Sequence, residues 1–217
     1  MRWQVLRQFL FSAWGDEMKI GIMGGTFDPI HLGHLAMAES AREIFELDKI
    51  LFMPSANPPH KVEQNITPAM HRVMMTFLAT KSNENFEVSQ AEILRGGISY
   101  TIDTMKELHE KFGEETELFF IIGADSLKDL PTWHKSRELV KKCHFIAAGR
   151  PGTEINLSEL ENFFGEINFN RHIHRIETPG LEISSTDIRE RVKAGRSIKY
   201  LVPELVEEYI FKEQLYK

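Results

Sequence analysis

The stretch from Met18 to His34 constrains this chain more than any other, because it joins a short apolar strand, two glycines and two histidines within seventeen residues. Lys19 to Met23 reads as a strand, and Gly24-Gly25 then lets the backbone turn and approach a ligand with no Cβ in the way. Thr26-Phe27-Asp28-Pro29 follows, then His31 and His34, with Gly33 between them. Leu35, Ala38, Ala41, Ile44 and Phe45 recur at helical spacing, so both imidazoles are expected on one face of the first turn of a helix. Helix N-termini favour anions, and Gly33 leaves room for a phosphate lying against the turn. Such a histidine pair can donate hydrogen bonds to phosphate oxygens whose charge rearranges during phosphoryl or nucleotidyl transfer. The dinucleotide fingerprint GxGxxG is absent, which argues against an ordinary dehydrogenase.

The rest of the chain alternates strands with helices. Lys49 to Met53 reads as a second strand ending at Pro54, followed by the loop from Ser55 to Lys61. Thr67 as N-cap and Pro68 at the first helical position open a helix whose stripe of Met70, Val73, Met74, Phe77 and Leu78 is expected to face the core. Phe86 to Ile93 alternates like a strand, and Arg95-Gly96-Gly97 breaks it. Thr101 to Phe112 is expected to be helical, Leu118 to Ile122 a strand covered on both faces, Ser136 to Lys142 a helix, and His144 to Ala148 a strand. Thr153 to Asn170 carries weak signals and reads as a variable surface segment. A strand near Ile173 to Ile176 and helices through Gly195 and from Pro203 complete the pattern. The prediction is an α/β fold with a Rossmann-like, doubly wound, mainly parallel sheet. Ligands of such sheets bind beyond the carboxyl ends of the strands. The unusual loops at Gly24-Gly25, Ser55 to Lys61, Gly123 to Asp125, Gly149-Arg150 and Ile183 to Ser185 each follow a strand, so one crevice could collect them.

Composition narrows the function further. The 217 residues suit one domain with a sizeable core, and the 26 basic against 32 acidic side chains give a formal charge of -6, no basis for broad nucleic-acid binding. The single Cys143 excludes an intrachain disulfide and a multi-cysteine zinc site, and is expected to be a buried structural thiol. No apolar run approaches the ~20 residues of a membrane span, so a cytoplasmic protein without membrane contact is expected. Residues 1–17 are odd: Phe9-Leu10-Phe11 hints at a signal peptide, but Gln4, Arg7 and Gln8 interrupt it and no cleavage site follows. Secretion is rejected. Met18 immediately precedes the first strand, and Gly15-Asp16-Glu17 would be encoded by purine-rich codons resembling a ribosome-binding site. Residues 1–17 are therefore expected to be a non-native or mis-assigned extension, with 18–217 forming the single domain. A native peptide containing Trp3 or Trp14 would overturn this.

A second constellation, Ile183-Ser184-Ser185-Thr186-Asp187-Ile188-Arg189, places hydroxyls at a helix start, where they can cap free N–H groups or leave those groups facing a phosphate. Arg189, about one turn in, offers a fork of donors to a polyphosphate. Together, and in the expected order, the two motifs resemble the HxGH and ISSTxIR signatures of the nucleotidyltransferase superfamily. Pro58-Pro59-His60-Lys61, Ser99-Tyr100-Thr101 after Gly-Gly, Gly123-Ala124-Asp125 and Leu130-Pro131-Thr132-Trp133-His134 narrow the likeness to the bacterial nicotinate mononucleotide adenylyltransferases, over Met18 to about Tyr200 without the segment near Thr153 to Asn170.

That resemblance implies transfer of AMP from ATP to nicotinate mononucleotide, giving nicotinate adenine dinucleotide and pyrophosphate, a step of NAD biosynthesis. It implies catalytic roles for His31, His34 and Arg189. ATP and its phosphates would meet Gly24, Gly25, Thr26, Phe27, Lys61, Gly123, Ser184, Ser185 and Thr186. Nicotinate mononucleotide would meet Ser99, Tyr100, Thr101, Asp125 and Trp133, with Trp133 stacked on the ring and backbone groups near Thr101 and Trp133 receiving its carboxylate. Mg²⁺ would be carried mainly by ATP, with no protein metal cage expected. A phosphopantetheine adenylyltransferase, a nicotinamide mononucleotide adenylyltransferase and a non-catalytic nucleotide sensor remain alternatives at this stage.

Overall fold

The computed structural model describes residues 18–56, 66–149, 157–165, 167 and 169–217. Six strands, β1 (Lys19–Gly25), β2 (Lys49–Pro54), β3 (Phe86–Val88), β4 (Glu117–Gly123), β5 (His144–Gly149) and β6 (Ile173–Glu177), form one sheet in the order β3-β2-β1-β4-β5-β6. Every pairing in it is parallel. This is the doubly wound order, and the direction of winding reverses between β1 and β4.

Alternation along the strands divides the core between the two faces of the sheet. Ile20, Ile22, Leu51, Met53, Leu118, Phe120 and Ile122 meet Ile102, Met105 and Leu108 of one helix, while Met23, Ile50, Phe52, Phe119 and Ile121 meet Ala38, Ala41, Met75, Ile188 and Ile210 on the other side. The helices are α1 (Leu32–Phe45), α2 (Ala69–Thr80), α3 (Ala91–Arg95), α4 (Thr101–Phe112), α5 (Ala124–Leu127), α6 (Ser136–Leu139), α7 (Ser158–Phe164), α8 (Phe169–His172), α9 (Ser185–Lys193) and α10 (Glu204–Lys212). No helix among the described residues is long and apolar enough to cross a membrane. Cys143 is buried, its thiol donating weakly to the Leu139 carbonyl at 3.7 Å, and burial raises the thiol pKa.

Several sequence expectations are corrected. Of the expected stripe on α2, Val73 is buried and Leu78 packs on the core, but Met70, Met74 and Phe77 are 62%, 42% and 51% exposed, and the inner face carries Arg72, Met75, Thr76, Ala79 and Thr80 beside Val73. Polar residues can take that inner face because Thr76 and Thr80 return their hydroxyls to the carbonyls of Arg72 and Thr76, at 2.7 and 2.9 Å. Thr67 is not the N-cap of α2, which begins after Pro68: the Thr67 N–H is drawn to Asp28 Oδ2 across the fold, and its carbonyl accepts from Nε of Arg72 in α2. The strand expected to reach Ile93 stops at Val88, and Ala91–Arg95 is helical, tied down by a buried Glu92 that accepts from the Thr104 hydroxyl at 2.8 Å. Within the segment read as variable surface, α7 inserts Leu160 and Phe164 into the core. The helix expected to reach Lys142 ends at Leu139 and continues as turns.

Candidate active site

The site opens where two strands part. The β1–β4 ladder ends at Ile22↔Phe120, whereas β1 stays paired with β2 as far as Gly25↔Pro54 and β4 with β5 as far as Gly123↔Ala148. Beyond Ile22 and Phe120 the sheet is therefore split at the point where its winding reverses. Gly24 lines this split, and a Cβ there would stand 2.9 Å from Phe120 Cζ. Gly24 and Gly25 remain in the strand; the expected turn falls at Phe27, at φ 49°. A phenylalanine held in the left-handed region is backbone strain at the mouth of the cleft.

The same turn builds the histidine pair. Phe27 is buried, with its ring edge-on to His34 at 5.2 Å. His31 is the N-cap of α1, and its backbone N–H donates to His34 Nδ1 at 3.2 Å. That bond makes Nδ1 the acceptor and leaves the His34 proton on Nε2. The two rings stack 3.6 Å apart. Burial lowers His31 to about 4 and, together with the neighbouring His31, holds His34 well below the ordinary histidine range. Both are thus neutral donors near pH 7. His31 Nδ1 is buried with no hydrogen-bond partner among the described residues, a polar group of the kind a bound ligand or water satisfies.

Both histidines line a crevice of about 510 Å³, with Gly33, Gly123, Asp125, Gly149, Glu182 and Ser184 among its other walls. Three of the five loops expected to converge therefore do so. Ser184 caps α9 by accepting from the Asp187 N–H at 3.1 Å, leaving the Ser185 and Thr186 N–H groups in a first turn that offers no intrahelical acceptors. The Ser185 hydroxyl instead donates to the Pro29 carbonyl at 2.8 Å. Arg189 donates through Nη1 to the Asp28 carbonyl at 2.8 Å and through Nη2 to Thr186 Oγ1 at 3.2 Å. The two sequence motifs are in this way bolted together across more than 150 positions of chain, |i−j| being 156 for the serine bond and 161 for the arginine bond.

Of the residues expected at the second substrate, Asp125 shares the histidine crevice, and the others lie elsewhere along the strand ends. The Tyr100 ring lies 4.3 Å from that of His134, and Trp133 is half-buried, edge-on to Phe120 at 5.7 Å and to Phe145 at 6.2 Å. None of these five ring-bearing residues lines the histidine crevice. The Trp133 N–H is already donated to the Leu130 carbonyl at 3.1 Å. Thr101 opens α4, whose first N–H groups have no intrahelical acceptor, while the Ser99 hydroxyl accepts from the Ala56 N–H at 3.3 Å and joins the loops after β2 and before α4. Asp125 is exposed on the crevice wall. Thr26 sits at the end of β1, its carbonyl facing Arg72. Lys61 and Arg150 lie outside the described residues.

Comparison with known proteins places this geometry. The family model described as Cytidylyltransferase-like matches residues 22–191. A protein of Thermoanaerobacter sp. named "Probable nicotinate-nucleotide adenylyltransferase" is 52% identical over 93% of this chain and 95% of its own length. One of the same name from Moorella thermoacetica is 52% identical over 92% of each chain. The chain belongs to the nicotinate-nucleotide adenylyltransferase family. Its fold is also that of the Plasmodium falciparum nicotinic acid mononucleotide adenylyltransferase complexed with NaAD, at a TM-score of 0.73 and 22% identity, over 92% of this chain and 98% of that one.

Three residues of this adenylyltransferase escaped sequence reasoning. Arg72 is buried to 1% exposure, and its guanidinium donates to the carbonyls of Thr67, Thr26, Ser55 and Ala56 at 2.9, 2.8, 2.8 and 3.3 Å, joining the loops after β1 and β2. Asp28, also buried, accepts from the Thr67 N–H at 3.1 Å and the Tyr216 hydroxyl at 2.7 Å. A signal for Arg72 existed: an arginine in the midst of an apolar helix. Asp28 lay in the quoted motif without a role, and nothing local marked Tyr216.

Proposed function

We propose that this protein joins the 5′-phosphate of nicotinate mononucleotide to the α-phosphorus of ATP, releasing pyrophosphate and leaving nicotinate adenine dinucleotide. One bond forms, between a phosphate oxygen of the mononucleotide and the α-phosphorus, as the bond from that phosphorus to the α–β bridging oxygen breaks. The attacking phosphate is already an anionic nucleophile, so no general base is required, and catalysis rests on positioning and charge stabilisation. The observation that carries the reading is the meeting in one crevice of two uncharged imidazoles and the open N-terminus of α9. A neutral His34 offers Nε2–H to oxygens gaining charge in the transition state without itself transferring a proton. Arg189 and the Ser185 and Thr186 N–H groups receive the departing pyrophosphate, and Gly24, Gly25, Gly123 and the Thr26–Phe27 turn accommodate ATP beside the split strands.

Enzymes of this kind work with a divalent metal and ATP, and Mg²⁺ is the ion proposed here. The nucleotide's own phosphate oxygens supply the hard ligands it takes, and the carboxylates of Asp125 and Glu182 on the crevice wall are compatible with it. Bound there, the ion would neutralise phosphate charge. Nicotinate mononucleotide is assigned to Ser99, Tyr100, Thr101, Asp125 and Trp133, with its ring against the exposed part of the indole and its carboxylate toward the first turn of α4.

The test is incubation of purified protein with Mg-ATP and, separately, nicotinate mononucleotide, nicotinamide mononucleotide and phosphopantetheine, with products identified by mass spectrometry. A dinucleotide from the nicotinate substrate in clear excess over the amide supports the reading. Product only from phosphopantetheine would discard the aromatic pocket, and no product would favour a nucleotide sensor.

A further inference from the structure

Tyr216 reaches the active-site turn from a place in sequence far from both signature motifs. Its backbone, like that of Gln214, is left-handed, at φ 65° and 54°. This curl after α10 brings the phenol over α2 and the β1–α1 turn, where the hydroxyl donates to Asp28 Oδ1 at 2.7 Å and lies 3.8 Å from Met75 Sδ. Burial first, and the neighbouring Asp28 charge second, raise the Tyr216 pKa, which keeps the hydroxyl protonated and donating.

Asp28 has two ends with different duties. Its carboxylate is held by Tyr216 and by the Thr67 N–H, with the Arg72 guanidinium acting on it electrostatically. Its backbone carbonyl accepts from Arg189 Nη1, and the next carbonyl, Pro29, accepts from Ser185. Asp28 also lies three positions before His31, so it anchors the same turn that sets the histidine stack. An oxyanion-type donor displaced by about 1 Å can cost a large factor in rate, which makes the anchoring of this turn a catalytic matter.

We propose that Tyr216 is a positioning residue: through the Asp28 carboxylate it fixes the turn whose carbonyl holds Arg189 and whose end presents His31 and His34. The inference rests on the adenylyl-transfer reading for its kinetic part only; its structural part is independent of the reaction.

Tyr216→Phe keeps the ring and removes the hydroxyl, so the fold is retained. Hydrogen exchange measured by mass spectrometry on the intact protein is expected to quicken at least ~10-fold in peptides covering residues 26–31, with peptides from β4 and β5 unchanged. In the assay with Mg-ATP and nicotinate mononucleotide, kcat is expected to fall ~10-fold while KM for ATP moves less than ~3-fold. In an Arg189→Lys background the same change should lower kcat by less than ~2-fold, because the geometry it protects is already lost. Unchanged exchange in residues 26–31 overturns the proposal whether or not the wild type turns over the nicotinate substrate. Faster exchange with unchanged kcat, or losses that multiply independently with Arg189→Lys, also overturns it. An inactive wild type refutes the adenylyl-transfer reading instead, and exchange alone then decides the anchoring. Asp28→Asn, which keeps the shape and removes the charge, should reproduce the exchange pattern.

Discussion

His34→Asn separates the two faces of one imidazole. The Asn amide oxygen can stand near the place of Nδ1 and keep accepting the His31 N–H, which donates to that nitrogen at 3.2 Å. Nothing in Asn reaches the place of Nε2, so the distal donor alone is lost. Removing one preorganised transition-state donor costs about 10²–10³ in kcat, or ~2.7–4 kcal/mol. The substitution also loses the ring contacts to His31 at 3.6 Å and Phe27 at 5.2 Å, worth about 1 kcal/mol, which at this chain length lowers Tm by about 2–4 °C. The expected variant is therefore folded, binds ATP with KM within ~3-fold of wild type, and turns over at least ~100-fold more slowly. His34→Ala should be slower by a similar factor yet less stable, because it additionally leaves the His31 N–H without its acceptor, at about 1–3 kcal/mol if that group stays dry. Steady-state kinetics with both substrates, alongside thermal melts, decide the matter. A His34→Asn enzyme with kcat within ~3-fold of wild type would refute the assignment of Nε2–H to the transition state, whatever its Tm.

Acid should destabilise the protein through its buried histidines. His31 and His144 are lowered to about 4, mainly by burial, and His34, His172 and His174 are lowered as well. An unfolded chain therefore binds protons from about pH 6.5 downward that the folded chain refuses, and stability falls with pH by up to ~1.4 kcal/mol per pH unit for each of the deeply buried His31 and His34, and by less for the more exposed His144, His172 and His174, where solvent screens the effect. Melts at pH 7.5, 6 and 5 should show a steady drop in Tm; an unchanged Tm at pH 5 would contradict the burial of these rings. Arg72→Lys replaces a four-bond fork by an ammonium with three donors and strands carbonyls among those of Ser55, which is buried, and of Thr26 and Ala56, which are partly so. The loss is about 3 kcal/mol, a Tm lower by ~6–12 °C, and a Tm within ~2 °C of wild type would show that the guanidinium is dispensable.

How much of this was legible in the sequence depends on the range of the forces involved. The α/β order, the strand bounds near Lys19, Lys49 and His144, and the span of α4 follow from periodicity and glycine punctuation, which act within a few residues, and the structure reproduces them. The clustering of His31, His34, Gly123, Asp125 and Ser184 was also foreseeable, since a parallel sheet delivers every strand end to one edge. The errors arose where a distant partner overrode the local pattern. The stripe of Met70, Met74 and Phe77 has helical spacing, yet α2 turns it outward, because rotating the helix to bury those side chains would withdraw the Arg72 fork from the carbonyls of Thr26, Ser55 and Ala56. Those loop carbonyls, that of Ser55 buried and those of Thr26 and Ala56 partly so, need donors more than α2 needs three further apolar contacts: an unmet buried acceptor costs about 1–3 kcal/mol, and one guanidinium here satisfies several carbonyls at once. The need for donors at two active-site loops thus sets the rotation of a helix that does not itself line the histidine crevice, a constraint that no window of α2 contains.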